Sequence, residues 1–306
     1  MTQDPLPETC SALCIGGVGI RIDSPPRVIP RLKNPLYRLF LGDCPETEAG
    51  ERMEVRLGGD AWPSAGNPEL LFDTGDSWKM FRDGADYRLS LDRPGTGDPL
   101  WVACFGRGAG RVDLYCGFDP ADGEGFRVVD LPMTYPLDQL LFMYFLAARR
   151  GALVHGAGMI HQGRGYIFPG ISGAGKSILS ELLADAGSGT MLSDERIVLR
   201  EMDGGIRAYG TPWAGTAGIT GADSAPLGGV FFLNHAGTNR IEPLKSATAA
   251  DRLLPVTSIP WYDPDTAAPI VGFTRDLAAG IPAFAFHFVP EPSAVDCLTD
   301  FLSGGS

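Results

Sequence analysis

Residues Gly170 to Ser177 read Gly-Ile-Ser-Gly-Ala-Gly-Lys-Ser. They stand between a short apolar run, Gly165-Tyr166-Ile167-Phe168, and a stretch from Ile178 to Asp185 whose apolar positions line one side of a helix. Strand, glycine-rich turn and helix in this order are the setting of a phosphate-binding loop. The glycines at 170, 173 and 175 let consecutive N–H groups turn toward an oxyanion, and the positive end of the next helix adds to the attraction. The pattern predicts that Gly170, Ile171, Ser172, Gly173, Ala174, Gly175, Lys176 and Ser177 cradle a nucleoside triphosphate. Lys176 would reach the β- and γ-phosphates, and the Ser177 hydroxyl would ligate Mg²⁺. Lysine is otherwise scarce, occurring only at 33, 79, 176 and 245. A compact ammonium stands where this loop needs one.

A chain of 306 residues holds one large domain or two ordinary ones. Its formal charge of −12, with no Lys/Arg cluster to override it, argues against nucleic acid as a partner. The longest apolar run, Leu137 to Ala148, is interrupted by Asp138 and Gln139 and reads as an amphipathic helix; no run approaches the roughly 20 residues of a membrane span. The N-terminus carries early acids and prolines rather than a basic segment and an apolar core, so no signal peptide is expected. The six cysteines, at 10, 14, 44, 104, 116 and 297, have no framework spacing. Reduced thiols are expected, and with them a cytoplasmic protein.

Two textures divide the chain. Up to residue 134, short apolar runs alternate with Gly, Pro and Asp. Strands are expected at Val18–Ile22, Glu54–Leu57, Trp78–Phe81, Tyr87–Leu91, Trp101–Phe105, Val112–Tyr115 and Phe126–Val129, with a loop over Asp119–Gly125. Gly16-Gly17-Val18-Gly19 is followed by no helix pattern and reads as a β-turn. From 135 to 306 strands alternate with helices, opening with a helix at Tyr135–Arg150. Strands are expected at Leu153–Ala157, Gly165–Phe168, Gly189–Ser193, Ile197–Leu199, Val230–Leu233 and Phe284–Phe288, and helices at Ala247–Leu254 and Ser293–Leu302. The expected organisation is a β-rich domain, 1–134, followed by an α/β catalytic domain, 135–306.

Beyond the loop helix, an expected strand runs into Ser193-Asp194-Glu195-Arg196. Adjacent acids at a strand end beside a phosphate site suit two tasks, holding Mg²⁺ and accepting a proton from an attacking hydroxyl. Upstream, His155-Gly156 lies on the strand before the hairpin into the loop, which would bring His155 back toward the phosphates. His161, His235 and His287 share no ligand spacing and read as structural or surface groups. Trp213 and the pair Trp261-Tyr262 read as packing under loops. Arg207, Arg240, Arg252 and Arg275 are candidates for stabilising a transition state, and the sequence does not choose among them.

The order His155-Gly156, then Gly170 to Ser177, then Ser193-Asp194-Glu195-Arg196, resembles the catalytic domain of the HPr kinase/phosphorylase family. That family carries H-G, G-D-S-G-x-G-K-S and A-D-D-R in the same order at nearly the same spacing. The resemblance covers about Tyr135 to the C-terminus and is closest to the smaller HPr-kinase-like proteins. It implies a fold related to phosphoenolpyruvate carboxykinase, with a mixed sheet and flanking helices around the P-loop, and it implies homo-oligomers. It also implies catalytic roles for His155, Lys176, Asp194 and Glu195, with Ser177 and Asp194 on the metal. Glu195 stands at the family's proton acceptor; if the longer side chain reorients the pair, Asp194 takes that role instead. The family's E-x-R-G-x-G segment corresponds to Gly205-Ile206-Arg207-Ala208-Tyr209-Gly210, where Gly205 replaces the metal-binding acid. Thr211-Pro212-Trp213-Ala214-Gly215 is unlike the HPr-specific enzymes, so neither HPr nor the reverse phosphorolysis is expected.

The leading expectation is a kinase, cytoplasmic and dependent on ATP and Mg²⁺. It would phosphorylate a hydroxyl acceptor, either serine of a peptide or protein or a small-molecule alcohol. The alternative is a nucleotide-binding scaffold or regulator with little transfer activity. A GTPase switch fares worse, because Asn234-His235-Ala236-Gly237 lacks the Lys and Asp of the guanine-reading segment.

Overall fold

Arg52-Met53-Glu54-Val55-Arg56-Leu57 alternates polar and apolar side chains, the period of a strand with one face on a core. In the computed structural model, which describes residues 10–44, 51–59, 63, 67–75, 77–117 and 126–304, Met53, Val55 and Leu57 are buried and Arg52, Glu54 and Arg56 exposed. The expected loop over Asp119–Gly125 lies outside the described residues. The protein is mixed α/β, with large mixed sheets and few helices. It forms two compact units, Met1–Phe145 and Leu146–Ser306.

The first unit contains β1 (Ala12–Ile15), β2 (Val18–Asp23), β3 (Val28–Arg31), β4 (Arg52–Gly58) and β5 (Glu69–Asp73). It continues with β6 (Trp78–Asp83), β7 (Asp86–Asp92), β8 (Pro99–Gly106), β9 (Arg111–Tyr115) and β10 (Arg127–Asp130). Eight of them form one sheet in the order β1-β2-β4-β9-β8-β7-β6-β5, and β3 pairs with β10 as a parallel ribbon. The β2–β4 and β4–β9 steps are parallel and the others antiparallel. Gly16 and Gly17, at φ of 60° and 68°, form the two-residue turn between β1 and β2. Both positions need the left-handed region, which explains two glycines in succession.

The helix α1 (Leu137–Ala147) is buried along its length rather than amphipathic. Apolar residues face every direction, as they do in a helix enclosed by protein. Most of it belongs to the first unit. The Tyr144 ring packs 4.7 Å from Tyr87 and 5.3 Å from Phe105, and the buried Asp138 accepts the Tyr37 hydroxyl hydrogen. The expectation of six free thiols is corrected here. Cys14 and Cys44 are joined by a disulfide, their Cα atoms 4.9 Å apart. Nothing local to either cysteine announces the pairing, which depends on where the chain returns to β1. One ground for expecting the cytoplasm is thereby removed. No helix among the described residues is long and apolar enough to cross a membrane.

The second unit contains β11 (Gly151–His161), β12 (Arg164–Pro169), α2 (Lys176–Asp185), β13 (Thr190–Ser193), β14 (Arg196–Met202) and β15 (Gly205–Tyr209). After them come β16 (Ser224–His235), β17 (Arg240–Pro243), α3 (Ser246–Leu253), α4 (Pro264–Gly280), β18 (Ala283–Phe288) and α5 (Ser293–Gly304). The long strands β11 and β16 each pair with several partners. Following the pairings from β11 to β12, β16, β15, β14 and back to β11 gives a closed circuit of five strands. Only the β12–β16 step in it is parallel. The strands β18 and β17 extend the sheet outward from β16.

Alternation along β16 distributes its side chains between two cores. Phe231 packs with Phe168, Phe286 and Phe288 against Leu179 and Leu183 of α2 and Leu298 of α5. Val230 and Phe232 pack with Ile167 and Leu199 against Leu253 of α3 and Ile270, Phe273 and Leu277 of α4. Truncating such a phenylalanine to alanine costs about 3–5 kcal/mol. Two helical layers therefore hold the sheet whose strand ends carry the residues described next.

Candidate active site

The β11–β12 hairpin pairs Gly156 with Pro169, and the Gly170 amide donates to the His155 carbonyl over 3.2 Å. The root of the glycine-rich loop is thus fixed beside His155. On its other side β11 pairs with β14, setting His155 against Arg196, and the Gly156 amide donates to the Glu195 carbonyl at 3.0 Å. Two antiparallel registers therefore collect three segments that lie far apart in sequence.

Between them lies a cleft of about 530 Å³, within the usual size range of small-molecule sites. One wall is Ser172, Gly173, Gly175, Lys176, Ser177 and Ile178. His155 and Glu195 also line it, and the facing wall is Ala214, Gly215 and Thr216, with His235 alongside. Of the residues expected from sequence, Gly170, Ile171, Ala174 and Asp194 do not line the cleft. Gly170 and Ala174 shape the turn: a Cβ on Gly170 would lie 2.8 Å from that of Ala174. Ile171 points outward and is 66% exposed.

Lys176 is 6% exposed, and its ammonium donates to the carbonyls of Gly170 at 2.8 Å and Ile171 at 3.1 Å. Burial pushes its pKa below the ordinary lysine value, against the opposing pull of Glu195. His155 Nε2 lies 3.2 Å from Glu195 Oε1. That bond is the main cause holding the Glu195 carboxyl below its ordinary pKa, with partial burial working the other way. The charge of Arg196 bears on both Lys176 and Glu195.

Asp194 is the acid expected on the metal together with Ser177. It is fully buried; Oδ1 accepts from the Gly215 amide at 2.8 Å and Oδ2 from the Ala217 amide at 2.9 Å. Both oxygens hold the facing wall instead of entering the cleft. Among the described residues, no group of three or more His, Cys, Asp or Glu side chains is placed to hold a metal ion. The Ser177 hydroxyl lies in the cleft, 3.1 Å from that of Thr216.

Gly205 is also placed differently from its expected position at a metal site. It pairs with Met202 at the end of the β14–β15 hairpin away from Arg196. The seven residues of β14 separate it from the cleft by roughly 20 Å at strand rise. An acid there would not reach the site.

Sequence reading missed His235 and the whole 214–216 wall. His235 ends β16, packs against the Phe288 ring at 5.3 Å, and approaches Gly175 closely. No local pattern marks it, because parallel pairing of β16 with β12 brings it there. The wall did carry a signal, a charge-free glycine-rich run from Gly210 to Gly221. His161 bonds the Ser188 carbonyl, and His287 faces Glu242 at the sheet edge, both away from the cleft lining. Trp213 is buried, whereas Trp261 is 65% exposed. None of Arg207, Arg240, Arg252 and Arg275 lines the cleft; Arg207 bonds Ser224 and Arg240 pairs with Glu242. No family model matches the chain, and no curated protein is significantly similar to it.

Proposed function

We propose that the protein is a kinase that transfers the γ-phosphoryl group of ATP to an alcohol hydroxyl. One observation carries the reading: a buried lysine, held by loop carbonyls, shares a cleft with a carboxylate paired to histidine. Phosphoryl transfer asks a protein chiefly for positioning and charge stabilisation. In this reading residues 170–177 form a P-loop for the triphosphate, and Lys176 exchanges the Gly170 and Ile171 carbonyls for phosphate oxygens. The acceptor oxygen bonds to the γ-phosphorus as the bond to the β–γ bridging oxygen breaks. The acceptor proton passes to Glu195, which His155 orients, and ADP departs. Ser177 is the residue that would hold Mg²⁺, with phosphates and water completing its shell. When bound, Mg²⁺ would neutralise charge on the phosphates.

A second reading, a nucleotide-binding scaffold, is favoured by the withdrawal of Asp194 from the cleft. One experiment separates the two. Labelled ATP is incubated with peptide and small-molecule hydroxyl acceptors, using wild type and Lys176→Ala. Label transfer that the substitution abolishes supports the kinase. Nucleotide binding without transfer supports the scaffold, and transfer indifferent to Lys176 removes the kinase reading.

A further inference from the structure

We propose that Asp194 is a positioning residue that fixes the 214–216 wall against Glu195, leaving the cleft to work with a single carboxylate. The chemical consequence rests on the phosphotransfer reading; the geometry does not.

A fully buried carboxylate needs partners, and backbone N–H donors to an ionised oxygen are among the stronger hydrogen bonds. Asp194 has two, one to each oxygen, from residues two apart in the same turn. The adjoining bonds continue the seam. Ser193 Oγ donates to the Trp213 carbonyl at 3.2 Å, the Asp194 amide to Ile219 at 3.3 Å, and the Gly221 amide to Leu192 at 2.9 Å. The backbones approach so closely that a Cβ on Gly221 would lie 2.3 Å from the Met191 carbonyl oxygen. At Gly215 a Cβ would meet Glu195 Oε2 at 2.9 Å and Asp194 Oδ2 at 3.1 Å. Gly215 is thus bonded to Asp194, and neither acid leaves room there for a side chain. Releasing the Asp194 bonds frees the wall and removes the surface that limits where Glu195 can point. A metal ligand would need an oxygen facing the cleft; Glu195 lines it and Asp194 does not.

Amide exchange tests the clamp without assuming any activity. In wild type, the Gly215 and Ala217 amides should be protected at least about 100-fold over unstructured chain, with and without Mg²⁺. A metal role predicts that adding Mg²⁺ releases one of them. Asp194→Asn leaves one acceptor oxygen and sets an NH₂ group against the other amide, so exchange at 215 and 217 should rise at least tenfold. Where this variant folds, the Mg²⁺ concentration giving half of the ATP-induced rise in Tm should stay within twofold of wild type. Its kcat for transfer should fall at least tenfold, with KM for ATP unchanged. Unprotected amides in wild type, release by Mg²⁺, or a tenfold higher Mg²⁺ requirement would each overturn the proposal. If wild type binds no ATP, the kinase reading falls, and exchange alone decides the clamp.

Discussion

His155 Nε2 faces Glu195 Oε1 across 3.2 Å, joining β11 to the segment after β13. The pairing favours the ionised carboxylate and therefore links stability to pH. The native pKa of Glu195 is depressed below the ordinary 4.5, so its contribution is present above that pH and is lost as the pH falls through the native value. Thermal melts of wild type and Glu195→Gln should differ most near neutrality. The difference should shrink below pH 4.5, where the protonated acid resembles its amide; a gap that widens on acidification contradicts the pairing.

Lys176 is held at a cost, since burial disfavours its charge more than Glu195 favours it, and the carbonyls of Gly170 and Ile171 accept its hydrogens. A polyphosphate would compensate this charge far better. For wild type, Mg²⁺-ATP at a hundred times Kd should add about 2.7 kcal/mol of stability. Lys176→Met should abolish that gain while leaving the unliganded Tm within a few degrees, as differential scanning fluorimetry would show.

Gly175 is constrained twice. Its φ is +96°, and an added Cβ would sit 2.6 Å from Phe288 Cζ and 3.1 Å from His235 Cε1. Gly173 shares the positive φ, +83°, but has nothing within 4 Å. In urea titrations Gly173→Ala should cost about 1 kcal/mol for backbone strain alone, and Gly175→Ala about 2–3 kcal/mol more. Equal costs would mean that Phe288 does not pack as described.

Gly205→Asp would supply the acid that the family resemblance implies at this position, but at the end of the hairpin away from Arg196. Any transfer activity and its Mg²⁺ dependence should match wild type. Stability should drop by about 1 kcal/mol, because the φ of +122° suits glycine. A gain in activity would show that the β14–β15 hairpin lies nearer the cleft than its register implies.

Local pattern made most strands legible. The alternation around Met53, Val55 and Leu57, and the apolar run Gly165 to Phe168, each state their burial directly. Among the described residues, β1, β3, β5, β15, β17 and α4 were not expected, and two of them show why. The helix α4 contains Pro269 and Gly272, which read as breakers, although Ile270, Phe273, Thr274 and Leu277 form its buried face. β5 carries Leu70 and Phe72 on exposed positions, so no alternation of burial marks it. At the site, the setting of the glycine-rich turn between β12 and α2 was readable because the pattern that marks it is local. The different placement of Asp194 and Glu195 was not, because both stand in the bend between β13 and β14, where no strand alternation says which acid faces the cleft. Which side is the cleft depends on where residues 211–221 return.

The five-strand circuit turns the base of this cleft into a hoop. His155 belongs to it, and Glu195 directly precedes its strand β14. A hoop has no loose end from which to peel, so the base should behave as a rigid frame. Whatever movement admits a ligand must then come from the turn at 170–175, which stands outside the circuit, rather than from the strands beneath it.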